Sequence, residues 1–135
     1  MKKWLLGSKP ISIDVGLLLL RLVLGFGMLT HGLPKLVNYS ERVSKFSDPL
    51  GVGSEFSLMA AIFAEVFCSV LLIVGLYTRL ALIPLIITFL VVTFVVHGDD
   101  PFSQQEKAIL YLIPYFTILF TGPGKFSIDQ IRNKS

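Results

Sequence analysis

The sequence predicts an all-α membrane protein, an up-down bundle of four transmembrane helices. Hydrophobic residues make up 53% of the 135 residues, and the mean hydropathy of +0.74 is too high for an ordinary soluble domain of this length. One crossing of a bilayer takes about 20 apolar helical residues, so the chain has room for about four crossings. No extramembrane domain fits beside them, and we expect residues 1–135 to form a single transmembrane domain.

Four apolar runs separated by turn signals define the expected spans. They lie at about 12–33, 56–77, 80–97 and 104–121, with a polar external loop at 37–55. Ser12 is a suitable N-cap for the first helix, and Pro34 marks its expected end. The very short turn from Tyr77 to Arg79 predicts that the second and third helices are antiparallel neighbours.

The distribution of basic residues predicts the orientation. One side of the expected bundle carries Lys2, Lys3, Lys9, Arg79, Lys125, Arg132 and Lys134. The other side carries Lys35, Arg42, Lys45 and Lys107. Because cytoplasmic loops are enriched in lysine and arginine, we expect both termini in the cytoplasm. The net charge of +3 is explained by this topology, and we expect the lipid bilayer, not nucleic acid, as the partner.

The single cysteine, Cys68, excludes an intramolecular disulfide and CxxC redox chemistry within the chain. It belongs to a stripe of small residues with Ala60 and Ala64, which permits close approach of helices. The stripe could serve a contact inside the bundle or a homo-oligomer.

Two charged residues lie deep inside apolar runs. Counted from the expected helix ends, Arg21 and Glu65 both reach the middle of the bilayer. An unpaired charge there costs at least ~2.5 kcal/mol, and pairing inside the bundle is the usual way to offset that cost. We therefore expect a direct or water-bridged Arg21–Glu65 pair, serving either structure or function.

A second group of polar residues is expected at the external ends of the helices. His31 and His97 end the first and third spans, and Asp99 and Asp100 follow the second histidine. One pocket built from them would suit a quinone headgroup or a weakly bound metal ion. Local metal-binding spacings such as HExxH are absent from the sequence, so we assign no metal ligand. The alternative is that both histidines are interfacial residues.

Several of these residues recur together in a known pattern. An arginine in the first helix, His31-Gly32 followed by Lys35, a glutamate in the second helix and the turn Gly75–Arg79 resemble the DoxX family, over about residues 16–120. The resemblance implies a four-helix protein of the bacterial inner membrane, in a family named for a subunit of a thiosulfate:quinone oxidoreductase. It adds Lys35 to the candidate ligand or proton site, and it implies a quinone as ligand and other oxidoreductase subunits as partners.

Three classes of function remain open from the sequence. The chain could be a membrane subunit of a quinone-linked oxidoreductase, a non-catalytic scaffold for a soluble enzyme, or a carrier of protons or small molecules. It shows no catalytic thiol, flavin motif or haem motif, so the catalytic residues are unknown and a quinone role would depend on Arg21, His31, Glu65 and His97.

Overall fold

The computed structural model describes residues 1–134, and residue 135 of the predicted domain lies outside the described residues. All secondary-structure elements of the described residues are helices, and no strand is present among them. Its helices are α1 (Lys2–Leu5), α2 (Ile13–Val37), α3 (Tyr39–Arg42), α4 (Ser54–Val74), α5 (Thr78–Val96), α6 (Phe102–Thr121) and α7 (Ile128–Asn133). Three of them, α2, α4 and α5, are long and apolar enough to cross a membrane. The fourth long helix, α6, carries several polar residues in its first two turns and falls short of that composition.

Helix α2 begins as predicted but ends later. The hydroxyl of Ser12 accepts a hydrogen bond from the amide of Val15 at 3.2 Å and caps the helix. The predicted end near residue 33 is wrong, because the helix continues through Pro34 to Val37. A proline removes one backbone donor, and a helix that packs on neighbours tolerates that loss. The extra turn carries Lys35, which matters for the site.

Helix α4 ends in a Schellman motif. Gly75 has a φ of 71°, a left-handed conformation that glycine adopts without strain. The amide of Leu76 donates to the carbonyl of Leu71 at 3.0 Å, and the amide of Gly75 donates to that of Leu72 at 3.2 Å. The spans therefore end at Val74 and restart at Thr78, not at 77 and 80 as predicted, and the predicted antiparallel α4–α5 hairpin is present.

The apolar core lies where the four long helices meet. It includes Leu24 and Met28 of α2, Leu72 of α4, Leu85 of α5 and Ile118 of α6. In the small-residue stripe, Ala64 and Cys68 are buried in this core while Ala60 is exposed. Ala64 and Cys68 therefore serve contacts inside the bundle, and the Cys68 thiol is buried.

Residues 122–134 fold back across one end of the bundle. The amide of Lys125 donates to the carboxylate of Asp14 at 2.9 Å, and the carboxylate of Asp129 accepts from the amides of Tyr77 and Thr78 at 2.7 and 2.8 Å. Burial raises the pKa of Asp129, but these hydrogen bonds outweigh it and leave the pKa below the ordinary value. We call this the terminal end, and the opposite end, with residues 38–53 and 97–101, the loop end.

Candidate functional site

Arg21 is satisfied by backbone carbonyls at the terminal end. Its side chain donates to the carbonyls of Leu72 at 3.0 Å, Ile73 at 2.8 Å, Pro123 at 2.9 Å and Phe126 at 2.8 Å. The residue is only 1% exposed. The guanidinium therefore joins α2, the last turn of α4 and the folded-back segment, and the carboxylate that interacts with it electrostatically is Asp129.

The predicted direct Arg21–Glu65 pair is wrong. A methyl group at Gly32 would lie 2.8 Å from the Cβ of Glu65, so Glu65 is level with Gly32. Gly32 lies eleven residues beyond Arg21 on α2, a separation of about 16 Å along a helix. The two charges occupy different depths because Arg21 is level with the last turn of α4, where the carbonyls of Leu72 and Ile73 accept its hydrogen bonds, whereas Glu65 lies about two turns earlier on that helix.

Glu65 is paired with Lys35 instead. The ammonium nitrogen of Lys35 lies 2.7 Å from a carboxylate oxygen of Glu65, and the two side chains are 18% and 9% exposed. The same nitrogen lies 3.4 Å from the carbonyl oxygen of His31. Lys35 thus reaches back along the last turns of α2 to neutralise a buried carboxylate. The long side chain makes the pair possible although the backbone of Lys35 is near the end of the helix.

Glu65 lies in an irregular part of α4. Residues Phe63–Cys68 form a π-helical segment, and Val92–Val96 form a second one in α5. A π-helical turn inserts an extra residue and changes the direction in which the following side chains point; such turns are frequent at functional sites. Both segments border the same polar region at the loop half of the bundle.

A polar cavity of about 180 Å³, which we call the chamber, lies between α2, α4, α5 and α6 at this level. Its polar and charged lining residues are His31, Lys35, Glu65, His97, Gln104 and Lys107, and its apolar wall includes Met28 and Phe89. His31 interacts electrostatically with Lys107, Lys35 and Glu65. The structure therefore brings together His31, Lys35 and His97 of the predicted site and adds Glu65 to them.

The two predicted aspartates lie differently. Asp100 contacts His97 at hydrogen-bond distance, with 2.7 Å between its carboxylate oxygen and the histidine Nδ1. Asp99 is exposed and does not line the chamber. Asp100 orients the imidazole from outside, as a positioning partner, and Asp99 lies outside the site.

Sequence reasoning missed Lys107 and Gln104. Both lie on the first two turns of α6, at the loop end. A polar cluster at the start of an apolar helix is ordinarily a solvated helix end, and only the packing of α6 against α5 shows that two of its members face a cavity.

Aromatic rings extend the apolar wall of the chamber towards the core. Phe89 stacks on Tyr111 with ring centroids 5.3 Å apart and contacts Tyr115 at 5.8 Å. The Tyr115 hydroxyl is fully buried, has no hydrogen-bond partner among the described residues and interacts electrostatically with Glu65. A buried hydroxyl without a partner is costly.

A second cavity, which we call the groove, lies on the other side of the Lys35–Glu65 pair. Its volume is about 220 Å³, and most of its lining is apolar. Across residues 1–134, histidine, cysteine and acidic side chains form no group of three or more that could hold a metal ion.

These features define a class of protein: a small helical membrane protein with a buried ion pair and a polar chamber at one end of its bundle. The family model for DoxX matches residues 16–98, and the chain belongs to the DoxX family. An uncharacterized protein of Haemophilus influenzae is 29% identical over 118 residues, which cover 82% of this chain and 86% of the relative. No solved structure matches the chain. The matched residues include His31, Lys35, Glu65 and His97 but not Lys107 or the folded-back segment.

Proposed function

We propose that the chain forms a single four-span domain, residues 1–135, of the bacterial inner membrane with both termini in the cytoplasm. Support comes from α6, which packs along α5 over its whole length. At the loop end Gln105 donates to the carbonyl of His97 at 2.6 Å, and at the terminal end Arg79 donates to that of Leu119 at 3.0 Å. A helix of 20 residues held at both ends of a membrane bundle is long enough to be a fourth span.

Within this arrangement we propose that the protein binds the headgroup of a membrane quinone and serves as the membrane subunit of a quinone-linked redox process. The observation that carries the proposal is the chamber, a cavity at the loop end of the bundle that is lined by two histidines and the Lys35–Glu65 ion pair. Ionisable residues within a membrane protein mark ligand or proton pathways.

The lining residues fit a quinone headgroup. Its two carbonyl oxygens need hydrogen-bond donors, and the chamber offers imidazole, ammonium and amide groups from His31, Lys107 and Gln104. Its flat ring needs an apolar or aromatic wall, which Phe89 provides. The unpartnered hydroxyl of Tyr115 interacts electrostatically with Glu65 but does not line the chamber. Pockets that combine an apolar wall with a few converging polar groups are typical ligand sites.

A bound quinone accepts two electrons and two protons when it is reduced to the quinol, or releases them in the reverse direction. The proposed role of this chain is to hold the headgroup and to carry the protons. The imidazole of His31 can accept and release a proton, and the carboxylate of Glu65 can do so when Lys35 moves away from it. Both electrons are exchanged with a partner oxidoreductase subunit, because the chain itself carries no redox motif.

The test is direct binding of a short-chain quinone to the purified protein in lipid nanodiscs, with the His31→Leu variant compared with wild type. Loss of one hydrogen bond to the headgroup is expected to weaken binding about tenfold, equivalent to ~1.4 kcal/mol. Asp99→Asn is the matched control, because Asp99 is close in sequence to the chamber but does not line it. Its affinity should equal that of wild type.

Absence of quinone binding by a folded wild-type protein would overturn the proposal. A proton flux through liposomes that is abolished by Glu65→Gln, in a protein that binds no quinone, would instead establish a carrier.

A further inference from the structure

The groove opens on the surface that faces the lipid. Its walls come from α4 and α5, and their residues Phe56, Ala60, Ile87 and Val96 are exposed on the outside of two candidate spans. Exposed apolar residues on a membrane span contact hydrocarbon. A molecule that enters the groove therefore comes from the bilayer.

The loop of residues 43–53, which follows α3, covers the groove at the loop end, and we call this loop the roof. Leu50 and Val52 line the groove from above. The loop is held on α4 by Asp48, whose carboxylate accepts hydrogen bonds from the amides of Val52 and Gly53, both at 2.9 Å, and from the hydroxyl of Ser57 at 3.1 Å. The roof covers the groove at the loop end and leaves its side towards the lipid open.

The groove and the chamber meet at the ion pair. Lys35, Glu65 and Val92 line both cavities. A polar chamber therefore adjoins an apolar groove, with one charged pair at the boundary. An amphiphile has the same arrangement, with a polar head joined at one point to a hydrocarbon chain.

The cavity sizes point to the same conclusion. Neither the groove, at about 220 Å³, nor the chamber, at about 180 Å³, reaches the roughly 300–1,000 Å³ typical of small-molecule sites. The two together fall within that range. A ligand of ordinary size therefore fits the two cavities together better than either one alone.

We propose that the groove binds the isoprenoid chain of the quinone whose headgroup lies in the chamber, and that the ligand enters sideways from the bilayer between α4 and α5. This inference rests on the proposed function and adds a second subsite to it. The Lys35 side chain has to turn away from Glu65 as the headgroup passes, because the pair stands between the two cavities. Lys35 can make this movement because its side chain is long and flexible and its backbone lies in the last turn of α2, at the end of the bundle.

The experiment compares two quinones with the same headgroup, one without a chain and one with two isoprenoid units, in nanodiscs of one lipid composition. The variant Ala61→Leu fills the groove, and Gly16→Leu is its control, because Gly16 does not line the groove and a Cβ atom added there meets nothing within 4 Å. All variants are compared in identical nanodiscs, so partitioning of the isoprenoid chain into the lipid is the same in every measurement and does not affect the comparison. We expect Ala61→Leu to weaken binding of the chain-bearing quinone at least about tenfold, to leave binding of the chainless quinone unchanged, and Gly16→Leu to change neither.

Val91→Phe, on the opposite wall of the groove, repeats the test should Ala61→Leu fail to fold. Binding of both quinones that is insensitive to a filled groove would overturn the inference and leave the proposed function intact. A membrane lipid retained in the groove while the chain-bearing quinone binds normally would overturn it too. If neither quinone binds the wild-type protein, the proposed function fails and this inference fails with it.

Discussion

At the scale of single residues, two buried cations are stabilised in different ways. Arg21 donates hydrogen bonds to four backbone carbonyl oxygens, two at the end of α4 and two in the folded-back segment. Lys35 forms an ion pair with one carboxylate, that of Glu65. The planar guanidinium offers five donors in a fixed arrangement, whereas an ammonium group is a point charge on a flexible stem. Arg21 is therefore suited to stabilising the packing of the helices, whereas Lys35 is suited to an ion pair that can break and re-form.

Replacing Arg21 should mainly affect stability. Arg21→Lys keeps the charge but cannot reach four carbonyls at once, and we expect a loss of about 3 kcal/mol in the free energy of unfolding. Thermal unfolding in detergent measures the loss. Arg79→Lys is the control, since Arg79 donates to a single carbonyl and is more exposed, and it should cost under about 1 kcal/mol. Equal stability of the two variants would contradict the proposed role of Arg21 in stabilising the bundle.

The Lys35–Glu65 pair should show energetic coupling. Lys35→Met leaves the buried carboxylate of Glu65 without its partner and should cost about 2 kcal/mol. The double variant Lys35→Met, Glu65→Gln removes that unpaired charge and should recover much of the loss. A double-mutant cycle of unfolding in lipid nanodiscs measures the coupling. Additive effects of the two substitutions would show that the pair does not form.

At the scale of elements, the irregular segments surround the site. The π-helical segments of α4 and α5, Phe63–Cys68 and Val92–Val96, both contribute to the chamber, and the loop held by Asp48 covers the groove. The regular halves of the same helices pack into the core at the terminal end. The fold thus concentrates its irregular backbone at the loop half of the bundle, where the ligand site is proposed.

The roof should depend on pH through Asp48. The hydrogen bond from the amide of Gly53, followed by those from Val52 and Ser57, holds the pKa of Asp48 below its ordinary value of 3.8. A depressed carboxyl pKa stabilises the folded loop above the unfolded pKa, and this contribution is lost as the pH falls through the folded value. We expect hydrogen-exchange protection of the Val52 and Gly53 amides to be constant above about pH 5 and to fall below pH 3.8.

Asp48→Asn supplies the control for the roof. It retains the shape of the side chain but cannot ionise, so protection of the two amides should be low at every pH. Protection in wild type that disappears near neutral pH would mean that another group holds the loop.

At the scale of the whole molecule, the two ends of the bundle have different tasks. The terminal end is closed by residues 122–134 through Asp14, Arg21 and Asp129. The loop end carries the chamber and the groove. In the orientation that we propose, the closed end faces the cytoplasm and the site faces the outside.

This orientation can be tested with cysteine labels. In a Cys68→Ser background, cysteines at Lys45 and Asp99 should react with an impermeant maleimide added outside spheroplasts, whereas cysteines at Lys9 and Asn133 should react only after lysis. These positions report on the two ends of the bundle, and the native Cys68 is buried, so the wild-type protein serves as the unlabelled control. Labelling of Asn133 together with Asp99 from outside would show that α6 does not cross the membrane.

The sequence by itself determined the class of the protein, the approximate positions of three membrane-length helices and most of the candidate residues. Apolar runs of membrane length define α2, α4 and α5 because hydrocarbon forces every backbone polar group into internal hydrogen bonds. The position of His97 at the end of α5 was predictable for the same reason, whereas His31 lies inside α2, which continues to Val37. The motif resemblance was sufficient to assign the chain to the DoxX family, and the family-model match over residues 16–98 confirms this assignment.

Tertiary structure alone decided which charges meet. Counting positions from helix ends assigned Arg21 and Glu65 to one depth, but the extension of α2 past Pro34 carries Lys35 to Glu65, and the fold-back of residues 122–134 brings carbonyls to Arg21. Both partners come from segments that look like helix ends or tails in the sequence. Pairing of buried charges depends on the relative heights and rotations of packed helices, which a one-dimensional pattern of hydrophobicity does not contain.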